Sequence, residues 1–181
     1  MDPSLHSIGM ETGPNQLSAS ADADHAGADD RRNVSGSSCG CAIMLAGAML
    51  AWSSKRQPVT AISSTEGEFY SVSQCALDFV YLRRIMELLG YEQTAPTLIA
   101  QDNNASIFLV KESGMYARTK HINTRVHRVR EFAAGDKPVV NLYKIAGEYQ
   151  PADIFTKGLP RVASSSSAIV ELSWASELKY I

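Results

Sequence analysis

Four acidic residues stand where packing alone would not put them. Asp22 closes a short strand candidate that begins at Leu17, and a carboxylate is both disfavoured in a strand and costly to bury unpaired, so its charge calls for a role. Asp102 repeats that arrangement at the end of the apolar run Thr97-Leu98-Ile99-Ala100-Gln101. Glu68 lies near the start of a long helical pattern, one residue from its apolar face; Glu66 has a complete explanation as a helix cap, and Glu68 has none. Asp153 enters a late helical stretch, where the macrodipole favours a negative charge, so capping competes with a chemical role for it. Brought to one point, these carboxylates would repel one another and would demand a divalent cation, which their hard oxygen atoms suit.

The elements that must position them follow from pattern. Leu17 to Asp22 is a weakly hydrophobic strand, Cys39 to Leu45 and Ala48 to Trp52 form a hairpin broken at Gly47, and Trp52 to Pro58 leaves the sheet through a basic, polar stretch. Ser63-Ser64-Thr65-Glu66 has capping-box spacing, and Phe69, Val72, Ala76, Val80 and Leu88, with Leu77, Tyr81 and Ile85 beside them, predict a helix that Gly90 closes. Thr97 to Asp102 is the next strand, Asn103 and Asn104 are candidate caps of a short helix through Val110, and Ile122, Val126, Val129 and Ala133 stripe a further helix that stops at Gly135. Val139 to Ile145 makes a fifth strand. A long helix between an antiparallel hairpin and the next strand is a crossover, which places the chain in the α/β or α+β class.

Length and composition bound the answer. The 181 residues suit one domain of roughly 100 to 150 residues with ragged ends, expected here as a leader over 1–16, a domain over 17–159 and a tail over 160–181. Hydrophobic content of 45% with 20% charged residues is ordinary for a globular domain, and no apolar run approaches the ~18 residues that span a bilayer. The N-terminus has no signal-peptide character, so a cytoplasmic chain with reduced thiols is expected. Cys39-Gly40-Cys41 finds no second Cys or His pair at zinc spacing and, like Cys75, reads as buried thiol. A net charge of -2 says little about nucleic acid, which would be held by local basic stripes.

Such stripes exist. Lys120, His121, Arg125 and Arg128 recur at helical spacing opposite the apolar stripe, flanked by His127 and Arg130; they make either a solvated face or a contact for a phosphate backbone. Lys55 and Arg56 make either an exposed strand end or phosphate contacts, and Arg31 and Arg32 present the same choice in a polar turn region.

In order, Ala21-Asp22-Ala23-Asp24-His25-Ala26-Gly27, Asp30-Arg31-Arg32, Trp52-Ser53-Ser54-Lys55, Ser63-Ser64-Thr65-Glu66-Gly67-Glu68-Phe69, Asp102-Asn103-Asn104-Ala105, Arg118-Thr119-Lys120-His121-Ile122 and Ala152-Asp153-Ile154-Phe155-Thr156-Lys157 resemble the ribonuclease H domain of copia-type retrotransposon Pol polyproteins. The match runs from about Leu17 to Leu159, and the common order and spacing of the motifs make it specific. The resemblance implies an α/β ribonuclease H-like fold: a five-stranded mixed sheet, three strands antiparallel, with helices on both faces. It implies hydrolysis of the RNA strand of an RNA/DNA hybrid by four carboxylates and two Mg²⁺ ions, with Mn²⁺ as a substitute. Carried over, the family's acids fall on Asp22, Glu68, Asp102 and Asp153, and Lys55, Arg56, Asn103, Lys120, His121, Arg125 and Arg128 are expected to hold the hybrid. The reverse transcriptase part of the same polyprotein would be a partner, inside a cytoplasmic virus-like particle.

The chain also departs from the family. His25 stands where Trp is usual and Gly67 where Ala is usual; Gly147-Glu148-Tyr149-Gln150 lacks the His that many relatives place before the last Asp. An acid order with Glu second, not last, favours ribonuclease H over an integrase of the same fold. A catalytically silent nucleic-acid-binding module from a decayed element is the alternative, and a glycosidase would need an aromatic cleft that the sequence does not offer.

Overall fold

The computed structural model describes residues 15–24, 37–58, 61, 63–111, 123–134 and 136–157. The elements run β1 (Leu17–Asp24), β2 (Ser38–Leu45), β3 (Ala48–Arg56), α1 (Ser64–Leu88), β4 (Thr97–Gln101), α2 (Asn104–Lys111), α3 (Asn123–Ala133) and β5 (Val140–Lys144), then two short 3-10 helices, Gly147–Tyr149 and Pro151–Phe155. The five strands form one mixed sheet in the order β3-β2-β1-β4-β5. β1, β2 and β3 pair antiparallel, while β4 runs parallel to β1 and β5 parallel to β4.

β1 is the centre of the sheet, and its composition follows from that place. It is paired on both edges, and Leu17, Ala19 and Ala21 face α1 in a core shared with Phe69, Val72, Cys75, Ala76, Phe79, Ile99 and Leu142. Small side chains let the helix lie close, so a strand of low β-propensity is held by tertiary pairing. The alternate residues Ser18, Ser20 and Asp22 turn to the other face, where Ser20 donates to Gln150 Oε1 and accepts the Ala152 N–H at 3.0 Å. Among the described residues, the three α-helices share the core on one face and the second 3-10 helix packs on the other. α3 is fastened to its neighbours by Arg130, which donates twice to the Leu109 carbonyl at 2.9 and 2.7 Å. No helix among the described residues is long and apolar enough to cross a membrane.

Two expectations need correction. β3 does not leave the sheet at Trp52; it stays paired with β2 as far as Arg56, because its basic residues sit on an exposed sheet edge, where charge is favoured. The buried stripe of α1 runs through Phe69, Val72, Cys75, Ala76, Phe79 and Met86, whereas Tyr81 and Leu88 are exposed. Choosing Val80 and Leu88 over Phe79 and Met86 rotated that face away from the sheet. Asp153 lies in the first turn of a helix as expected, a short 3-10 one over Pro151–Phe155. Ser63 caps α1 as its spacing predicts, accepting the Glu66 N–H at 3.2 Å, and all three cysteines are free and buried. His25, Arg31, Arg32, Lys120, His121, the leader over 1–14 and the tail over 160–181 lie outside the described residues.

Candidate metal centre at the strand ends

Asp22, Glu68 and Asp102 converge. Each offers a carboxylate oxygen, and these oxygens lie within 4.8 Å of one another. The convergence has a backbone cause. β1 and β4 are parallel neighbours, so their C-terminal ends, which carry Asp22 and Asp102, lie at the same edge of the sheet. α1 begins beside that edge and brings Glu68 down onto β1, where Glu68 Oε2 accepts the Ala23 N–H at 3.0 Å and the Gln101 Nε2 at 3.4 Å.

Asp153 reaches the edge from the opposite face. The sequence around it bends back onto Asp22: Thr156 Oγ1 donates to Asp22 Oδ2, and Lys157 Nζ lies 2.7 Å from Asp153 Oδ2 and 3.9 Å from Asp22 Oδ2. Asp153 is not within the three-carboxylate group itself; it borders the group across the Lys157 ammonium. Gly40 makes the approach possible, since a Cβ there would stand 2.8 Å from both the Ala152 carbonyl oxygen and Thr156 Cγ2. Ser54 Oγ donates to the Phe155 carbonyl at 2.6 Å and the Trp52 ring stacks on Phe155, so β3 also holds this turn.

The electrostatics are those of an acidic centre short of positive charge. Burial pushes the Glu68 carboxyl up to about 8, and the Asp22 and Asp102 charges add to the rise against the hydrogen bonds from Gln101 and Ala23. Burial also raises Asp22 to about 6, with Thr156 and Lys157 working against it and Asp153 and Asp102 with it. Lys157 is held above its ordinary value: burial opposes its charge, but the Asp153 hydrogen bond and the Asp22, Asp153 and Asp102 charges outweigh that. Asp102 Oδ1 and Asp153 Oδ1 are buried with no hydrogen-bond partner. Orphaned carboxylate oxygens facing a cluster of raised carboxyls fit a hard divalent cation, and an all-oxygen donor set suits Mg²⁺.

The basic residues are distributed around this centre. Register places Lys55 opposite Cys39, which in turn opposes Ala23, so Lys55 and Arg56 lie at the carboxylate end of the sheet, two strand spacings or about 10 Å from β1. Arg125 lies over the ring of Tyr70, 3.9 Å from its centroid, two residues past Glu68. Arg128 and His127 are exposed on α3. Asn103 caps α2, its Oδ1 accepting the Ser106 N–H at 3.1 Å.

Several residues in the site's frame carried no role in the sequence. Gln101 Nε2 also donates to the Ala21 carbonyl and its Oε1 accepts the Asn103 N–H, so it joins β1, α1 and the turn after β4. Gln150 Nε2 donates to the same Ala21 carbonyl at 3.0 Å from the other face. Lys144 donates to the Asp102 carbonyl. A polar residue closing the apolar Thr97-Leu98-Ile99-Ala100 run was the one available signal for Gln101; Thr156 and Lys157 appeared only within a motif.

No protein-family model matches the chain. It is 35% identical over 145 residues to the retrovirus-related Pol polyprotein of transposon TNT 1-94 of Nicotiana tabacum, a match covering 80% of this chain. It is 32% identical to the corresponding polyproteins of transposons RE2 and RE1 of Arabidopsis thaliana, over 87% and 90% of this chain. The matched stretch is only 10 to 11% of the length of those polyproteins. Its fold is similar to that of a ribonuclease H1 isolated from compost by a metagenomic approach, with a TM-score of 0.56 at 13% identity over 78% of this chain and 93% of that one. The same enzyme in complex with an RNA/DNA hybrid gives 0.54 at 12% identity over 78% and 94%. The N-terminal ribonuclease H domain of a Mycobacterium tuberculosis protein gives 0.54 at 11% identity over 86% and 98%. The chain belongs to the retrovirus-related Pol polyproteins of transposons, as a ribonuclease H-fold domain of the copia type.

Proposed function

We propose that this domain is a metal-dependent endonuclease that hydrolyses the RNA strand of RNA/DNA hybrids during reverse transcription of a retrotransposon. The observation that carries the reading is the convergence of Asp22, Glu68 and Asp102 at one edge of a ribonuclease H-fold sheet, with Asp153 beside them. The hybrid seen with the similar compost enzyme supports the substrate class.

Asp22, Glu68 and Asp102 would hold the ions, Mg²⁺ or Mn²⁺, and Asp153 would complete one coordination shell. When bound, two such ions supply a water activated near neutral pH and stabilise the leaving oxygen. The chain's residues prepare for this. The Ala23 N–H and Gln101 amide fix the Glu68 carboxylate, and Thr156 fixes that of Asp22, so neither has to be ordered when a cation arrives. Glu68, raised to about 8, must give up its proton on loading, which couples ion binding to pH. Lys55 and Arg56 on β3, Arg125 and Arg128 on α3, Asn103 at the head of α2, and Lys120 and His121 would grip the phosphates of the duplex. The reverse transcriptase portion of the polyprotein would deliver the hybrid in the cytoplasm.

The test is cleavage of an end-labelled RNA/DNA hybrid with Mg²⁺, beside an Asp102→Asn variant and a duplex DNA control. Hybrid-specific cutting by the parent, absent from the variant, is expected. Binding without cutting would instead make the domain a silent nucleic-acid-binding module, and cutting that survived in the variant would remove Asp102 from the centre.

A further inference from the structure

Lys157 places an ammonium against two carboxylates on the face of the sheet opposite α1. Its Nζ lies 2.7 Å from Asp153 Oδ2 and 3.9 Å from Asp22 Oδ2. These two residues form the side of the centre away from Glu68, whose Oε2 accepts from both Ala23 and Gln101. The contact is set by local geometry: Lys157 is four residues past Asp153 and its N–H bonds the Asp153 carbonyl at 2.9 Å, which carries the side chain back over the carboxylate. Asp22 is 1% exposed and the Lys157 side chain 44%, so the ammonium approaches from the open side and can swing out.

We infer that Lys157 is a positioning residue that occupies the Asp22–Asp153 side in place of a second divalent ion and must be released when that ion binds. The inference rests on the metal-dependent reading above. An ion coordinated by Asp22 and Asp153 at the usual ~2.1 Å would stand within about 5 Å of Nζ where it now lies, and the two cations would compete for the same pair of oxygens. Loading is therefore ordered. A first ion would be held by Asp22, Glu68 and Asp102, which the ammonium approaches only at Asp22 Oδ2 and only to 3.9 Å, and a second would come at the expense of the 2.7 Å Lys157–Asp153 pair. The remaining carboxylate oxygen, Asp153 Oδ1, is already buried without a partner and needs no such exchange.

The test is calorimetric titration of Mg²⁺ into the full chain, without nucleic acid, for the parent and for Lys157→Gln, Lys157→Arg and Arg84→Gln. Arg84 makes an exposed ion pair with Glu87 at 2.8 Å and controls for charge removal alone. Two binding phases are expected in the parent. Lys157→Gln should tighten the second phase roughly three- to tenfold and leave the first nearly unchanged. Lys157→Arg and Arg84→Gln should behave as the parent. A merely structural lysine would predict the opposite, a weaker second phase once Asp153 loses its partner. An unchanged or weakened second phase in Lys157→Gln, with binding intact in the parent, overturns the inference and leaves the metal reading standing. No ion binding to any of the proteins overturns both.

Discussion

The Glu68 carboxylate accepts the Ala23 backbone N–H at 3.0 Å, so the first turns of α1 are fastened to the residue that follows Asp22. One hydrogen bond thereby sets the distance between two of the clustered acids. It also fixes Glu68 where burial penalises its charge, and the stability of the domain inherits that penalty.

In the absence of metal, stability should fall as pH rises. Glu68 goes from an ordinary 4.5 to about 8 and Asp22 from 3.8 to about 6 in the folded protein. Between the ordinary and the raised values the folded state binds more protons than the unfolded one, so the slope of unfolding free energy with pH is negative. Asp22 acts between about pH 4 and 6 and Glu68 between about pH 4.5 and 8. Urea unfolding in EDTA should therefore show lower stability at the alkaline end of this range, and Mg²⁺ should restore it there, since binding to the deprotonated carboxylates is linked to folding. Glu68→Gln, whose amide oxygen can still accept from Ala23, should flatten the profile and stabilise the metal-free protein above pH 8 by up to roughly 5 kcal/mol. A metal-free profile that rises with pH would contradict the buried cluster.

Gly67→Ala should stabilise the domain without harm to the centre. A Cβ at Gly67 would meet Ala61 Cβ and Gln57 Nε2 at 3.6 Å and Ala23 Cβ at 3.7 Å, which is ordinary contact. The glycine meanwhile costs α1 about 0.5–1 kcal/mol of helix propensity. A rise of a few degrees in melting temperature is expected, with hybrid cleavage unchanged. A loss of stability would mean that the Gln57 amide, which donates to the Gly67 carbonyl at 3.0 Å, cannot share the space.

The opposite outcome is expected at Gly40. There the Cβ of alanine would stand 2.8 Å from backbone oxygen and 3.0 Å from Phe155 Cβ, with no flexible side-chain end to yield on the backbone side. Gly40→Ala should cost about 1–3 kcal/mol and push the Pro151–Phe155 turn off the sheet, taking Asp153 and Lys157 with it. Trp52, stacked on Phe155 at 5.4 Å between centroids, reports this directly: its fluorescence should shift in Gly40→Ala and stay unchanged in Gly67→Ala. An unshifted spectrum with intact stability would show that the turn can move freely.

How much of this was legible depended on whether the signal was local. Ser63 and Asn103 announced their caps because the partners, Glu66 and Ser106, lie three residues away. The four acids were legible one by one as charges misplaced for packing, yet their meeting depends on the parallel pairing of β1 with β4, which no local pattern encodes. The α1 face is legible through Phe69, Val72 and Ala76 and ambiguous after them, because Val80 and Leu88 compete with Phe79 and Met86 for the apolar stripe, and only the sheet decides which phase is buried. Gln101 and Gln150 were invisible for the same reason: their shared acceptor, the Ala21 carbonyl, is distant from both in sequence. Lys157 stands four residues from Asp153 and could have been paired with it by helical spacing; its second contact, to Asp22, could not.

Arg125 and Arg128 should separate charge from position in hybrid binding. Arg125 is steadied by the Tyr70 ring beside Glu68, whereas Arg128 is exposed on α3. If both contact phosphates, each alanine variant should weaken the hybrid about equally across sequences and reduce the steepness of the salt dependence by about one counterion. Tyr70→Leu keeps both charges but removes the stacking, worth about 0.5–1 kcal/mol, so it should weaken binding severalfold with the salt slope unchanged. Fluorescence anisotropy with a labelled hybrid over a salt series in EDTA, where cleavage is silent, measures all three. An Arg125→Ala variant with the parent's affinity and slope would reduce Arg125 to a brace between α3 and α1, and would leave the grip on this side of the centre to Arg128.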